Sequence, residues 1–172
     1  MAADKTAGTL NRLIAVCRDG EELYGYAAEK VGRPQLQELL RETAGLHREI
    51  ADALRPHVSG AGASPAEGGT LAGKLRQLKG GLKATLTSDT EAALVPELAE
   101  TEQTVVQAFE SALADPMAAA AKTLVADRLE VLKATQARIA GIARRAGPAG
   151  RRSPTAGWAA PGRGGGGRRR RS

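Results

Sequence analysis

Three residues interrupt otherwise apolar helical stripes with groups that can bind metal or move protons: Glu21, His47 and Glu102. Carboxylates and imidazoles facing into a helical bundle are the donors of di-iron centres. Such a centre takes a carboxylate from each of two helices and a Glu-x-x-His pair from each of two others, because positions i and i+3 project together. The chain contains no Glu-x-x-His. Glu21 and His47 nevertheless lie at similar depth from the turn that joins their helices, within roughly one helical turn of each other, and so can touch. Glu102 has Arg128 at a matching depth on the following helix. Two readings stay open. Glu21, His47 and Glu102 can hold iron or another divalent metal, or Glu21–His47 is a buried hydrogen-bonded pair and Glu102–Arg128 an interhelical ion pair that sets register. Pairs satisfy the second reading, whereas an oxygenase or ferroxidase centre asks roughly four to six ligands to converge.

Other nucleophilic and phosphate-binding chemistry is poorly supported. Cys17 falls on the packed face of the first helix, where a thiol acts as a small hydrophobe rather than as a nucleophile. His57 falls at the end of the second helix and is expected to be solvated. The sequence has no glycine-rich phosphate loop and no Ser/His/Asp set on a suitable turn.

The elements that position these residues are helices. Ala, Leu, Glu, Lys, Arg and Gln dominate the body, and only four aromatic residues occur, Tyr24, Tyr26, Phe109 and Trp158. The first helix is predicted from Thr9 to Val31, with residues 1–8 a flexible N-terminus, and the second from Pro34 to near Pro56–Gly60. The short connection makes them antiparallel neighbours. After a loop at Ser59–Gly69, Thr70 opens a shorter amphipathic helix whose other face carries Lys74, Arg76, Lys79 and Lys83. A helix from Ser88 to about Ala114 follows, with Ser88 and Glu91 spaced as a capping box. Asp115-Pro116 then reads as a cap and first-turn proline for a last helix reaching about Arg145. Four long helices in two short-looped pairs, separated by a long connector with its own helix, predict an all-α, ferritin-like four-helix bundle with a long helical crossover between bundle helices two and three.

From Arg144 onward the chain carries nine arginines and no acidic residue in a Gly/Pro/Ser-rich background. Residues 146–172 are therefore predicted to form a disordered tail, and 9–145 the folded domain. Removing nine charges from the formal net charge of +6 leaves the body at about −3, so the basic character belongs to the tail. Arg168, Arg169, Arg170 and Arg171 can contact nucleic acid or another polyanion without sequence preference. One cysteine rules out an intramolecular disulfide. No segment reaches the ~18 apolar residues of a membrane span, so a cytoplasmic protein is expected.

The run Leu10-Asn11-x-Leu13-Ile14-x-x-Cys17-x-Asp19-Gly20-Glu21 resembles the opening helix of uncharacterised bacterial ferritin-like four-helix-bundle proteins. Ala27-Ala28-Glu29 before Pro34, Gly69-Thr70-Leu71-x-Gly73, Leu82-Lys83-Ala84-x-Leu86-Thr87 and Phe109-Glu110-x-Ala112-Leu113 extend the resemblance over about Thr9–Ile142. The chain departs from that family where a Gly-Trp pair usually stands near Leu78-Lys79, and at Gln136, where the family often has His. The resemblance implies the fold and no established reaction. The expected role is a noncatalytic structural or interaction module, self-association through a remaining helix face included. A metal-binding di-iron-type oxidoreductase or storage protein is the first alternative, and polyanion binding through the tail the second.

Overall fold

The apolar spacing read from the sequence closes into four helices in a computed structural model, which describes residues 2–70 and 88–146. They are α1 (Ala2–Lys30), α2 (Pro34–Gly60), α3 (Ser88–Ala114) and α4 (Ala119–Ala146). The α1 stripe is buried through Leu10, Leu13, Ile14, Cys17, Tyr24, Ala27 and Ala28, which steps of three, four and seven residues return to one face. Pro34 opens α2, where its missing N–H costs no helical hydrogen bond. The helix continues through Pro56 and stops where Gly62 takes a positive φ of 80°. There Ala63 N–H donates to Val58 O, closing the last turn.

Two boundaries differ from the sequence reading. Residues 2–8 are the first turns of α1 and not a flexible extension: Thr6 and Ala7 are buried, and the Ala118 N–H donates to Thr6 Oγ1 at 3.2 Å. No capping signal precedes Thr9 strongly enough to start the helix there, and packing against the α3–α4 turn draws it further back. Asp115 does not cap α4, which starts at Ala119. Its Oδ2 instead accepts hydrogen bonds from Thr9 Oγ1 and Arg12 Nη2 of α1, each at 2.8 Å.

Side-chain contacts fix the directions of the helices. The start of α1 meets the end of α3 through Thr9 and Asp115, and its end meets the start of α3 through Gly32 and Glu91, so α1 and α3 are antiparallel. Arg138 of α4 reaches Glu42 of α2 at 2.8 Å. Since α2 reverses α1, helices α2 and α3 run parallel, and the chain between them must return along the bundle. Such a connection spans roughly 40 Å at ~1.5 Å per helical residue. The expected crossover helix, including Lys74, Arg76, Lys79 and Lys83, lies outside the described residues, as do residues 147–172.

The α1–α2 turn is clasped by Glu91. Its Oε2 accepts the Gly32 N–H at 2.9 Å, and its Oε1 pairs with Arg33 Nε. Burial pushes this carboxyl upward, but the hydrogen bonds from Arg33 and Gly32 outweigh it and hold the group below the usual carboxylate range. A depressed folded-state value contributes stability above the ordinary carboxylate range and loses it as pH falls through that depressed value. The urea midpoint of the parent should therefore exceed that of Glu91→Gln most at neutral pH, with the gap closing in acid. A gap that stays constant down to strongly acidic pH would contradict this.

Candidate functional site

The interior consists of two apolar clusters. One contains Leu10, Ile14, Cys17, Ile50, Leu54, Val105, Phe109, Val125 and Leu132. The other contains Tyr24, Ala28, Leu40, Val95, Leu98 and Ile139. On each helix a buried polar or glycine position falls between them: Gly20 on α1, His47 on α2, Glu102 on α3 and Thr135 on α4. The candidate site is this layer.

Glu102 Oε2 is its centre. The Tyr24 hydroxyl donates to it at 2.8 Å and also lies 3.1 Å from Leu98 O, while His47 Nε2 lies 3.0 Å from the same carboxylate oxygen. His47 and Glu102 are both 0% exposed. Facing a carboxylate oxygen, Nε2 is the donor of this hydrogen bond, and Nδ1 is buried without a hydrogen-bond partner. That nitrogen packs against Gly20, where an added Cβ would sit 2.3 Å from Nδ1. The tyrosine and histidine rings stand 5.3 Å apart at 47°. One oxygen thus joins α1, α2 and α3. Burial, then the Glu102 charge, raises the Tyr24 hydroxyl well above its usual range, so the phenol stays protonated and serves as a donor.

The expected Glu21–His47 contact does not form. Glu21 sits on the flank of α1, where its oxygens accept hydrogen bonds from Arg18 Nη1 at 2.7 Å and Arg48 Nε at 2.6 Å. Burial lifts this carboxyl, but the arginine hydrogen bonds and charges prevail and hold it below the usual range. The inward position belongs to Gly20. A glycine leaves no mark in a hydrophobic pattern, so the spacing singles out the neighbouring Glu21 as the stripe's polar interruption. The expected Glu102–Arg128 ion pair is also absent: Glu102 Oε1 and Arg128 Nε are buried without hydrogen-bond partners.

A di-iron centre does not fit these residues. Among the described residues no group of three or more His, Cys, Asp and Glu side chains converges to hold an ion. His47 Nδ1 has no room beside Gly20, and Glu21 is already occupied by two guanidinium groups. The Cys17 thiol is pushed far up by burial and then by Glu102, with Arg18 opposing, so it is neither a nucleophile nor a thiolate ligand. His57 is exposed. Arg168, Arg169, Arg170 and Arg171 lie outside the described residues.

The sequence reading missed two residues of the opening-helix motif that hold the connector. Asn11 Oδ1 accepts the Ala66 N–H at 2.7 Å, and its Nδ2 donates to Ser64 O at 3.0 Å. Two turns further along α1, Asp19 Oδ2 accepts both the N–H and the hydroxyl of Thr70, at 2.8 and 3.0 Å. Gly69 packs so tightly on this carboxyl that a Cβ there would lie 1.8 Å from Oδ1. The motif therefore has physical assignments. Leu10, Leu13, Ile14 and Cys17 fill the core, Asn11 and Asp19 moor the returning connector, Gly20 seats His47, and Glu21 bridges α1 to α2. These mooring partners are loop backbone groups far away in sequence, and periodicity carries no signal for them.

Among the described residues no helix is long and apolar enough to cross a membrane. A search of curated proteins finds no match. Among solved structures, an N-terminal deletion mutant of Dps from Mycobacterium smegmatis is similar, with a TM-score of 0.66 and 17% identity over 85% of this chain and 99% of that one. That likeness establishes the ferritin-like four-helix fold. The family profile described as "Domain of unknown function (DUF2383)" matches residues 5–115, from the first turns of α1 to the turn after α3. With most of its length so matched, the chain belongs to the DUF2383 family, an uncharacterised ferritin-like family.

Proposed function

We propose that the chain is a noncatalytic helical module that acts through association, with the buried layer serving to lock the two hairpins together in one register. The supporting observation is the shared oxygen of Glu102: it is occupied by Tyr24 and His47, while Glu21 is spent on arginines. A buried polar network of this kind specifies a unique packing more than it adds stability.

The metal reading draws on the Dps-like fold and on two buried atoms without hydrogen-bond partners, His47 Nδ1 and Glu102 Oε1. Two donors fall short of the four that even a tetrahedral site would take. Full-length protein reconstituted with Fe(II), Mn(II) or Zn(II) and then dialysed should retain less than about one ion per chain. Glu21→Ala and His47→Ala should leave that content unchanged. Stoichiometric metal that disappears in either variant would establish the storage or oxidoreductase reading instead.

A further inference from the structure

At the end of the bundle opposite the Thr9–Asp115 contact, a recess of about 190 Å³ is lined by Arg33, Gln35, Leu36, Ile142 and Arg145. It lies where the turn into α2 meets the last turns of α4. Arg145 Nη1 and Arg144 Nη2 fold back over Gly141, within 3.8 and 4.0 Å of the point where a Cβ would stand there, so the two guanidinium groups share one small region. Both arginines are exposed, and among the described residues neither has an acidic partner. Arg33 is partly neutralised by Glu91 through Nε, yet its side chain is 51% exposed. The other acid with an assigned partner on this side, Glu42, is paired with Arg138. The first turn of α2 contains no acidic residue and has no side-chain cap, which adds a modest positive potential to that of the guanidinium groups.

Two guanidinium groups that no acid among the described residues pairs, held together with a third, half-compensated one, form a planar-donor array suited to a tetrahedral oxyanion. The recess has room for one phosphate group, and no aromatic ring lines it to stack on a base. The sequence beyond Arg145 continues with seven more arginines and no acid, which favours a ligand carrying several phosphates over a single one. We propose that this recess is a binding site for an oligophosphate, with Arg33 and Arg145 gripping one phosphate and Arg144 beside them. The site is independent of the buried layer and goes beyond the association role assigned above.

Arg145→Gln is the informative variant, because Arg145 is exposed and has no acidic partner among the described residues to lose. Titration calorimetry of the full-length protein with tripolyphosphate at low salt should show binding that weakens about tenfold in Arg145→Gln, with an unchanged thermal melt. Arg33→Gln/Arg145→Gln should weaken it further. Replacing Arg168, Arg169, Arg170 and Arg171 together with Gln should reduce affinity less than Arg145→Gln does. Unchanged affinity in Arg145→Gln, or loss confined to the Arg168–Arg171 variant, would overturn the site. A short DNA duplex competing more strongly than tripolyphosphate, with equal sensitivity to Arg145→Gln, would replace the oligophosphate with nucleic acid and overturn the assignment.

Discussion

Glu102→Ala should lower the unfolding free energy by about 3–5 kcal/mol, the sum of roughly 1–3 kcal/mol for each buried donor left without its acceptor and the cost of the cavity. The substitution leaves His47 Nε2 without an acceptor, leaves Tyr24 only its longer contact to Leu98 O, and opens space between the two apolar clusters. Against a typical total of roughly 5–15 kcal/mol the loss is severe yet measurable. Glu102→Gln keeps an acceptor near Tyr24 and should cost less than half as much. Glu102→Leu combined with His47→Leu removes both polar groups at similar volume, and stability should return to within about 2 kcal/mol of the parent. Urea denaturation of the four proteins checks the series. A Glu102→Ala variant within about 1 kcal/mol of the parent would show that the layer does not lock the hairpins.

The second large effect is one of sign. Gly→Ala inside a helix ordinarily stabilises by up to ~1 kcal/mol, because alanine has less backbone entropy to lose. Gly25→Ala and Gly45→Ala should follow that rule, since nothing lies within 4 Å of a Cβ at either position. Gly20→Ala should instead destabilise by about 2–3 kcal/mol, because its methyl group would stand 2.3 Å from a fully buried imidazole that has nowhere to go. In a His47→Ala background the clash disappears, and Gly20→Ala should become stabilising. Thermal or urea melts of the four members of this cycle read the reversal directly. The same sign in both backgrounds would mean that Gly20 is not the seat of His47.

Much of the fold was legible in the sequence because stripes spaced three and four residues apart survive any choice of partner helix. His47 and Glu102 were legible for the same reason, as polar groups where an apolar one was due. Their partnership was not, because it depends on α3 running antiparallel to α1 and bringing Glu102 opposite Tyr24. Glu21 was misplaced by a single helical position, about 100° of rotation, enough to turn a core ligand into a surface bridge. Glu91 matched a capping box, yet both of its carboxylate oxygens face a turn that precedes it by a whole hairpin. Local spacing specifies which face a residue occupies, and the long-range topology decides whom it meets there.

The polar layer also bears on how the molecule opens. Each apolar cluster draws on all four helices, so each end of the bundle has a core of its own. In native-state hydrogen exchange, amides around Phe109 and those around Tyr24 can then belong to separate cooperative units, each able to open sub-globally while the other stays closed. The layer is a fault plane between them. Whether the bundle behaves as one unit or two depends on the carboxylate that bridges that plane.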